Sequence, residues 1–334
     1  MKAKVIGAVV VAFLAMVSAA SAGSADTFGT GSNQFTIDFV TISGSTNPTS
    51  GYGSVANDYR MGTLEITNNQ WEKFKTELGV PVTGNPSFAY DHSPTWTDTN
   101  VPVNGVSWYE AAQFVNWLNT STDHHAAYKF AGTQGTSDYA FAAWSVAEAA
   151  GGTNLYRHKG AVYYLPTEDE WVKAAYWNGT TIQNYATKAG DTLHQGNGTG
   201  STGWNYYDGG YATESNSPWN VGSGSEELNG TFDMMGNLWD WVESPPFDGD
   251  YRTDVGRGGG LRGGSYSIGD GLSDGYLASS FRGFANPHSE NNNIGFRVAS
   301  EVSDPGVIPE PLTIMSAIIG LGMIGGYVRK RRAA

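Results

Sequence analysis

The segment GTFDMMGNLWDWVE, residues 230–243, combines acidic, amide, glycine and tryptophan residues within fourteen positions. Side chains alternate between the two faces of an extended chain, so Trp239 and Trp241 would point to the same side and could both enter a core. Asp233 and Asp240 bracket a turn that contains Gly236. The segment therefore predicts a small oxygen-rich pocket built on a buried aromatic anchor.

The composition around this segment indicates a loop-rich globular protein. The chain has 334 residues, of which 45 are glycine, 13% are aromatic and only 15% are charged. Such a composition is typical of an aromatic core with many loops rather than of a helical bundle. There is no cysteine, which excludes disulfides and thiol chemistry. The domain must be held together by its core, alone or with a bound metal.

The N-terminal residues 1–22 are predicted to be a signal peptide. Lys2 and Lys4 form a basic start, residues 5–17 are apolar, and Ala20-Ser21-Ala22 is a small-residue cleavage site. This segment predicts export from the cytoplasm, with cleavage after Ala22.

The C-terminal residues 305–334 have three parts in a fixed order. Pro309-Glu310-Pro311 precedes an apolar run at 312–328, which is long enough for a transmembrane helix, and four basic residues follow at 329–332. This order resembles the PEP-CTERM sorting signal of Gram-negative bacteria. The resemblance implies an exosortase as partner, anchoring in the inner membrane before processing, and then the cell surface or the extracellular matrix.

The domain between these ends, residues 23–304, is strongly acidic. Removing six basic residues and Glu310 with the ends leaves 13 Lys and Arg against 31 Asp and Glu, a net charge of −18. This charge makes nucleic acid an unsuitable partner. It suits divalent cations, and it also serves simply to keep an exported protein soluble.

Local patterns predict a mixed α and β domain. Residues 35–42 alternate as a strand does, residues 140–150 are predicted to be helical, and residues 178–230 are predicted to be a long loop-rich region. Three capping boxes predict helix starts. They are the pairs Thr67 and Gln70, Ser107 and Glu110, and Thr167 and Glu170.

Six motifs follow one another in an order that resembles the formylglycine-generating enzyme (sulfatase-modifying factor) family, which includes PvdO-like periplasmic proteins. The resemblance covers roughly residues 35–300. It implies a loop-rich single α+β domain related to the C-type lectin fold. The motifs are Glu65-Ile66-Thr67, Val106-Ser107-Trp108-Tyr109-Glu110-Ala111, Leu165-Pro166-Thr167-Glu168-Asp169-Glu170-Trp171, Gly236-Asn237-Leu238-Trp239-Asp240-Trp241, Arg262-Gly263-Gly264-Ser265 and Gly295-Phe296-Arg297.

The enzyme activity of that family is not expected here. Its oxidases bind copper through two cysteines that follow the Gly-Gly-Ser motif. The corresponding residues 265–276 contain no cysteine. We therefore expect neither copper nor the oxidation of cysteine to formylglycine, and we assign no catalytic residue.

The resemblance implies calcium instead. In the family one Ca²⁺ is held at the Gly-Asn-x-Trp segment, and a second at an Asn followed by an Asp. Carboxylates mixed with backbone carbonyls are what Ca²⁺ prefers, while loop acids without any ion are the alternative for both sites. The predicted ligands are Asp233, Gly236, Leu238 and Asp240 for the first site, and Asn205, Tyr206, Asp208 and Gly210 for the second.

Other polar groups receive structural interpretations. Glu168, Asp169 and Glu170 favour a helix N-terminus over a pair of catalytic carboxylates. The trio at 123–125, Asp-His-His, favours a solvated loop over a metal site. Three arginines, Arg262, Arg282 and Arg297, are interpreted as tying loops together rather than as binding anions.

Three functions remain open at this point. The leading hypothesis is a secreted, surface-sorted, calcium-stabilised domain that binds a polysaccharide or protein ligand of the cell envelope or exopolysaccharide matrix. The second is an envelope enzyme of the same fold with cysteine-free chemistry, a PvdO-like modifying oxidoreductase, which predicts a deep polar pocket near residues 267–276. The third is a purely structural biofilm matrix protein, which predicts no pocket.

Overall fold

Capping boxes define where the three long helices begin. The computed structural model describes residues 23–151, 154–245, 259–267 and 273–302. The helices are α1 (Asn68–Leu78), α2 (Trp108–Thr120), α3 (Glu168–Tyr176) and the short α4 (Ser273–Tyr276). The predicted caps Thr67, Ser107 and Thr167 each accept a hydrogen bond from the backbone N–H three residues on. These predictions are confirmed.

The strands are short, and they build two main sheets. In chain order they are β1 (Ser24–Phe28), β2 (Phe35–Ile42), β3 (Tyr59–Gly62), β4 (Lys129–Ala131), β5 (Ala140–Ala142), β6 (Ala149–Gly151), β7 (Asn154–His158), β8 (Tyr163–Tyr164), β9 (Trp239–Trp241), β10 (Gly259–Arg262), β11 (Gly283–Ala285), β12 (Ile294–Gly295) and β13 (Ala299–Glu301). One sheet has the order β1-β2-β3-β13-β8, and the other β11-β10-β9-β12. Two separate hairpins, β4-β5 and β6-β7, complete the set.

The second sheet carries the segment quoted at the start. Strand β9 lies in its interior, antiparallel to β10 and parallel to β12. Strand β11 pairs antiparallel with β10 and forms one edge of the sheet. This arrangement places residues 239–241 next to the Arg-Gly-Gly-Ser and Gly-Phe-Arg motifs, which are distant in sequence.

The prediction of a helix over residues 140–150 is wrong. These residues contribute β5, which pairs with β4, and β6, which pairs with β7. The ring of Phe141 packs edge-on against Trp108 and Tyr156, with centroids 5.0 and 5.3 Å away. Packing against aromatic side chains from other elements therefore overrides the helix propensity of the alanines.

An aromatic core joins the helices to both sheets. Trp71, Trp171, Trp204 and Trp241 are all almost completely buried. Between Trp177 and Leu238, a region that the structure describes without a gap, there is no helix or named strand. The expected loop-rich α+β architecture is confirmed.

The predicted terminal segments fall outside the described residues. This applies to the signal peptide at 1–22 and to the sorting tail at 305–334 with its membrane span at 312–328. The described residues from 23 to 300 form one compact unit. Within the described ranges, no helix has the length and apolarity that a membrane crossing requires.

Candidate functional site

A buried arginine lies within an acidic cluster at the heart of the domain. Arg297 Nε donates to Asp240 Oδ2 at 2.6 Å, and its two terminal nitrogens donate to the carbonyls of Gly62 and Phe232. Burial raises the pKa of each of four neighbouring carboxyls, that of Glu227 to about 8. One guanidinium thus faces four buried carboxyl groups, and burial disfavours the ionised form of each. The four carboxyls belong to Glu65, Glu227, Asp233 and Asp240.

The acids of the first predicted calcium site are already hydrogen-bonded. Asp233 accepts from Trp219 Nε1 at 2.8 Å and from the Gly222 N–H at 2.7 Å, one bond on each oxygen. Asp240 Oδ2 accepts from Trp171 Nε1 at 2.9 Å as well as from Arg297. Asp240 Oδ1 is buried, and no hydrogen-bond donor among the described residues reaches it.

The backbone of this site is held in a tight turn. Gly236 has φ +81°, and a Cβ there would lie 2.2 Å from the Asn205 carbonyl oxygen, so only glycine fits. The Leu238 N–H donates to Glu65 Oε1 at 3.0 Å. The close approach of Gly236 to Asn205 shows that the turn packs directly on the loop that supplies the second predicted calcium site.

At the second site the structure brings two of the predicted carbonyls together around a side chain. Gln195 Nε2 donates to the carbonyl of Tyr206 at 2.5 Å and to that of Gly210 at 2.8 Å. Asp208 is exposed. The Oδ1 atom of Asn205 is buried without a hydrogen-bond partner in the described structure. Sequence patterns gave no indication of Gln195, because it lies ten residues before the nearest predicted ligand in a region without periodicity.

The two predicted sites meet at one amide. Asn237 Oδ1 accepts from Asn205 Nδ2 at 3.1 Å and from the Trp219 N–H at 2.9 Å. Asn237 Nδ2 donates to Glu65 Oε2 at 2.6 Å. This asparagine was expected only as part of a motif, and the structure shows it as the connection between both sites.

The donor chemistry at both predicted sites suits calcium. Two buried oxygens lack a donor, Asp240 Oδ1 and Asn205 Oδ1, and each belongs to one predicted set. An amide or carboxylate oxygen is a ligand that Ca²⁺ accepts. Among the described residues, however, no group of three or more His, Asp or Glu side chains is arranged to hold a metal ion. Both calcium sites therefore stay predictions.

A cleft of about 310 Å³ opens on the second sheet. Trp239 and Leu261 come from β9 and β10, while Phe284 on β11 is 62% exposed. Its lining is partly apolar and partly polar, since two asparagines and an arginine accompany the apolar residues. The lining residues are Trp239, Leu261, Phe281, Arg282, Gly283, Phe284, Ala285, Asn291, Asn293 and Ile294.

The two tryptophans of the quoted segment have different environments. The indole of Trp241 is completely buried and donates to the Val106 carbonyl at 2.9 Å. Trp239 lines the cleft and packs against Phe281, with centroids 5.9 Å apart. The expectation that both tryptophans enter the core is confirmed, because Trp239 is only 6% exposed and belongs to the same buried cluster as Trp241, although it also lines the cleft.

Two arginines share one carboxylate beside the cleft, and one of them, Arg282, lines it. Glu168 Oε1 accepts from Arg262 Nε at 2.8 Å and from Arg282 Nε at 2.7 Å, and Glu168 Oε2 accepts from Arg282 Nη2 at 2.6 Å. Arg262 also donates to the carbonyls of Ser279 and Phe281. The structural interpretation is confirmed for Glu168 and Arg262. Arg282 fits the same interpretation, because it binds the same carboxylate, and its side chain is 26% exposed and lines the cleft.

The residues that follow the Gly-Gly motif present hydroxyl groups next to the cleft. Asn293 Nδ2 lies 3.3 Å from Ser267 Oγ, which lies 3.4 Å from Ser265 Oγ. Trp96 Nε1 donates to the Tyr266 hydroxyl at 3.1 Å. Amides and hydroxyls do not take up a proton at neutral pH, so these contacts do not activate a serine. Residues 268–272 of the predicted enzyme pocket lie outside the described structure.

Three carboxyl groups lie together next to the chain segment that reaches the cleft. Glu290 lies one residue before the cleft residue Asn291, and its carboxyl lies against those of Glu110 and Asp91. Glu110 is the buried capping residue of α2, and its Oε2 accepts from the Ser107 N–H. Burial raises the pKa of Glu110 to about 8, and burial together with the two neighbouring acids raises that of Glu290 to about 10.

These carboxyls make the stability of the domain depend on pH. Both glutamates have a higher pKa in the folded than in the unfolded protein, so the folded state binds more protons. Their stabilisation is complete below a pH of about 4.5 and is lost as the pH rises through about 8 and about 10. We expect the melting temperature to decline from pH 5 to pH 9, and Glu290→Gln to flatten that decline. An exposed control, Glu214→Gln, should keep the wild-type slope, and an equally steep slope in Glu290→Gln would contradict the assignment.

Comparisons with known proteins agree with this architecture. The sequence profile of the family described as "Sulfatase-modifying factor enzyme 1-like domain" matches residues 27–302. No curated protein sequence gives a significant match to this chain.

Solved structures with the same fold share little sequence with this chain. Treponema denticola variable protein 1 superposes with a TM-score of 0.56 at 22% identity, over 83% of this chain and 99% of that one. PvdO from Pseudomonas aeruginosa superposes with a TM-score of 0.52 at 16% identity, over 83% of this chain and 98% of that one. CarF superposes with a TM-score of 0.51 at 19% identity, over 80% of this chain and 99% of that one. At these identities the likeness shows the fold alone.

Proposed function

Because the chain belongs to the family of sulfatase-modifying factor enzyme 1-like domains, we propose that it is a non-catalytic binding protein of that family. The observation that carries this proposal is the cleft beside Trp239, which lies next to the Gly-Gly-Ser motif in a chain without cysteine. The cleft combines an exposed phenylalanine with two asparagines and an arginine. Such a mixture of an apolar surface and a few polar groups is typical of ligand sites.

The alternatives are less well supported by the described contacts. An enzyme needs a nucleophile or a base within hydrogen-bond reach of the reacting group. Ser265 and Ser267 contact each other and the amide of Asn293, none of which acts as a base. A purely structural matrix protein predicts no pocket, which the cleft contradicts.

The predicted terminal segments supply the location within this proposal. The signal peptide at 1–22 directs export, and the tail at 305–334 anchors the chain in the inner membrane until an exosortase processes it. The domain then presents its cleft at the cell surface or in the exopolysaccharide matrix. Detection of the mature N-terminus at Gly23, and of a truncated C-terminus in the extracellular fraction, tests both segments by mass spectrometry.

The binding proposal is tested with the purified full chain on a glycan array and on a random peptide library. We expect a set of ligands whose signal is lost in Phe284→Ser, because this change removes the exposed ring from the cleft. The matched control is Val146→Ser, since Val146 is 67% exposed and does not line the cleft. Equal signals in the wild type, Phe284→Ser and Val146→Ser would contradict binding in the cleft.

We infer in addition that calcium stabilises the domain, with Asp240 Oδ1 and Asn205 Oδ1 as ligands. Buried acids that outnumber Arg297 and two oxygens without donors support this inference. A site that is saturated about 100-fold above its dissociation constant adds about 2.7 kcal/mol to stability. EDTA should therefore lower the melting temperature, and CaCl₂ should restore it.

The second calcium site is tested with a separate variant, Asp208→Asn. Asp208 is exposed, so Asp208→Asn should leave the fold intact while weakening calcium binding at that site. Elemental analysis gives the number of bound ions in both proteins. Identical melting with and without EDTA, together with no bound calcium, would overturn the inference.

A further inference from the structure

We propose that Lys173 and Asn47 form a spontaneous covalent cross-link, an amide bond between the side-chain nitrogen of the lysine and the side-chain carbonyl carbon of the asparagine. The contact that supports it is short, because Lys173 Nζ donates to Asn47 Oδ1 at 2.7 Å. The two residues lie 126 positions apart in the chain. One belongs to α3 and the other to the loop 43–58 between β2 and β3. Such a bond would form whatever the cleft binds.

Lys173 is a buried lysine without an acidic partner. Its exposed fraction is 0%, and its Nζ donates to two neutral acceptors, Asn47 Oδ1 and the Val55 carbonyl at 3.0 Å. No carboxylate among the described residues forms an ion pair with it. Lysines are almost never fully buried unless they are paired, because an unpaired buried ammonium is costly. The site therefore favours the neutral amine, which is the nucleophilic form of lysine.

The charges around Lys173 agree with this assignment. Burial lowers the pKa of Lys173, and the charge of Asp58 opposes that effect. Asp58 is exposed and accepts from the Gly44 N–H at 2.7 Å. Another acid, Asp169 on α3, accepts from the Gly53 N–H at 2.8 Å. Neither carboxylate pairs with Nζ, so a larger share of Lys173 than of an exposed lysine is neutral at a given pH.

Asn47 presents its side-chain carbonyl to the amine in a fixed orientation. Its Oδ1 also accepts from the Val55 N–H at 2.8 Å, and its Nδ2 donates to the Gly44 carbonyl at 3.0 Å. The Val55 N–H would stabilise the negative charge that develops on Oδ1 during the attack. Because a carbonyl bond is about 1.23 Å long, Asn47 Cγ lies within about 4 Å of Nζ. This is close to the separation of about 3 to 3.5 Å from which bonds form.

The residue after Asn47 closes a competing reaction. An asparagine side chain is commonly lost when the backbone nitrogen of the next residue attacks its Cγ. Here the next residue is Pro48, whose nitrogen carries no hydrogen and cannot react in this way. The Lys173 amine is therefore the nucleophile that the structure places at this carbonyl.

The reaction balances without an oxidant or a co-reactant. The lone pair of Nζ forms a bond to Cγ, the Cγ–Nδ2 bond breaks, and one proton of the amine leaves with Nδ2 as ammonia. The fold holds both groups together, which raises the effective concentration of the amine by several orders of magnitude. The ammonia diffuses away, so the bond accumulates with time. The product carries no charge, which suits its buried position.

The cross-link would replace the disulfides that this chain cannot form. There is no cysteine, and the loop 43–58 contains no helix or named strand. Trp177 Nε1 donates to Thr46 Oγ1 at 3.0 Å, so a second contact already holds this loop near the end of α3. A covalent bond between residues distant in the chain stabilises a fold chiefly by restricting the unfolded chain.

The test is peptide mapping of the purified full chain by mass spectrometry after trypsin digestion. We expect the peptide that contains Asn47 and ends at Arg60 to be joined to the one spanning residues 160–188, with a mass lower by one ammonia and no cleavage after Lys173. Lys159 is the internal control, since it is exposed and donates to a backbone carbonyl, that of Ala147, rather than to a side-chain amide. Cleavage after Lys159 should be complete.

Two variants remove the bond from opposite sides. Asn47→Ala lacks the carbon that is attacked, and Lys173→Met keeps the length of the side chain without the amine. Both should give separate peptides. Asn47→Ala should also melt lower by roughly 10 °C, because a cross-link that closes a loop of about 100 residues strongly restricts the unfolded chain. The control Asn197→Ala changes an exposed asparagine in another loop and should keep both the bond and the melting temperature.

Three results would overturn the cross-link. The first is a free Lys173 with an intact Asn47 after prolonged incubation of the wild type at alkaline pH. The second is conversion of Asn47 to aspartate with a free Lys173, because water would then be the nucleophile. The third is a joined peptide in chain that is kept in urea from synthesis onward, since the bond would then not depend on the fold. Ligand binding in the cleft is tested separately by the glycan array and the peptide library.

Discussion

Replacing Arg297 with methionine is expected to lower the free energy of unfolding by about 3 to 5 kcal/mol, or to prevent folding. The guanidinium is fully buried and supplies three hydrogen bonds, to Asp240 Oδ2 and to two backbone carbonyls. Its loss leaves four buried carboxyls without their positive partner. An unpaired buried charge costs far more than a surface pair contributes. Urea denaturation, followed by tryptophan fluorescence, measures the change.

A surface pair provides the control for Arg297. Lys75 and Glu72 form an exposed pair at 2.8 Å, so Lys75→Met should cost less than about 1 kcal/mol. Arg297→Lys keeps the charge but not the planar set of donors. Its loss in the free energy of unfolding should therefore lie between those of Arg297→Met and Lys75→Met. A loss below about 1 kcal/mol in Arg297→Met would mean that the acids of the cluster do not depend on this arginine.

Truncation of Trp241 to alanine is expected to cost about 3 to 5 kcal/mol. Its ring is fully buried, and a Cβ at Gly259 would lie 2.6 Å from it, which shows how closely the backbone of β10 approaches the indole. The change leaves a cavity and removes the donor to the Val106 carbonyl. Trp241→Phe should recover part of the loss because it refills most of the volume.

Trp239 provides the matched comparison, since it lies two residues away on the same strand. It lines the cleft, so Trp239→Ala should destabilise less than Trp241→Ala and should remove ligand binding. Thermal melting measures the destabilisation, and the glycan array and peptide library measure the loss of binding. Equal destabilisation with retained binding would show that Trp239 serves the core and not the cleft.

The starts of the three long helices could be predicted from the sequence because a capping box is local. Its hydrogen bonds join residues three apart, such as Ser107 and Glu110, whatever the rest of the chain does. The sequence motifs also identified the family, since six of them occur in the expected order. The absence of cysteine is a property of composition and needs no structure.

The cleft could not be predicted, because its residues come from separate parts of the chain. Trp239, Arg282 and Asn293 meet only when β9, β10, β11 and β12 align in one sheet. Nothing in the spacing of Arg282 distinguishes it from Arg262. The difference in their exposure arises from the side chains that pack around each of them.

The sequence by itself therefore determined the helix starts, the loop-rich fold class, the family and the lack of thiol chemistry. Tertiary structure decided the partners of the buried Arg262 and Arg297, and it decided which tryptophan of the segment 230–243 also lines the cleft. Capping and composition depend on neighbours in the chain, whereas burial and ion pairing depend on neighbours in space. Asp240 lies 57 residues from Arg297 in sequence and 2.6 Å from it in the fold, and a pattern along the chain contains no such distance.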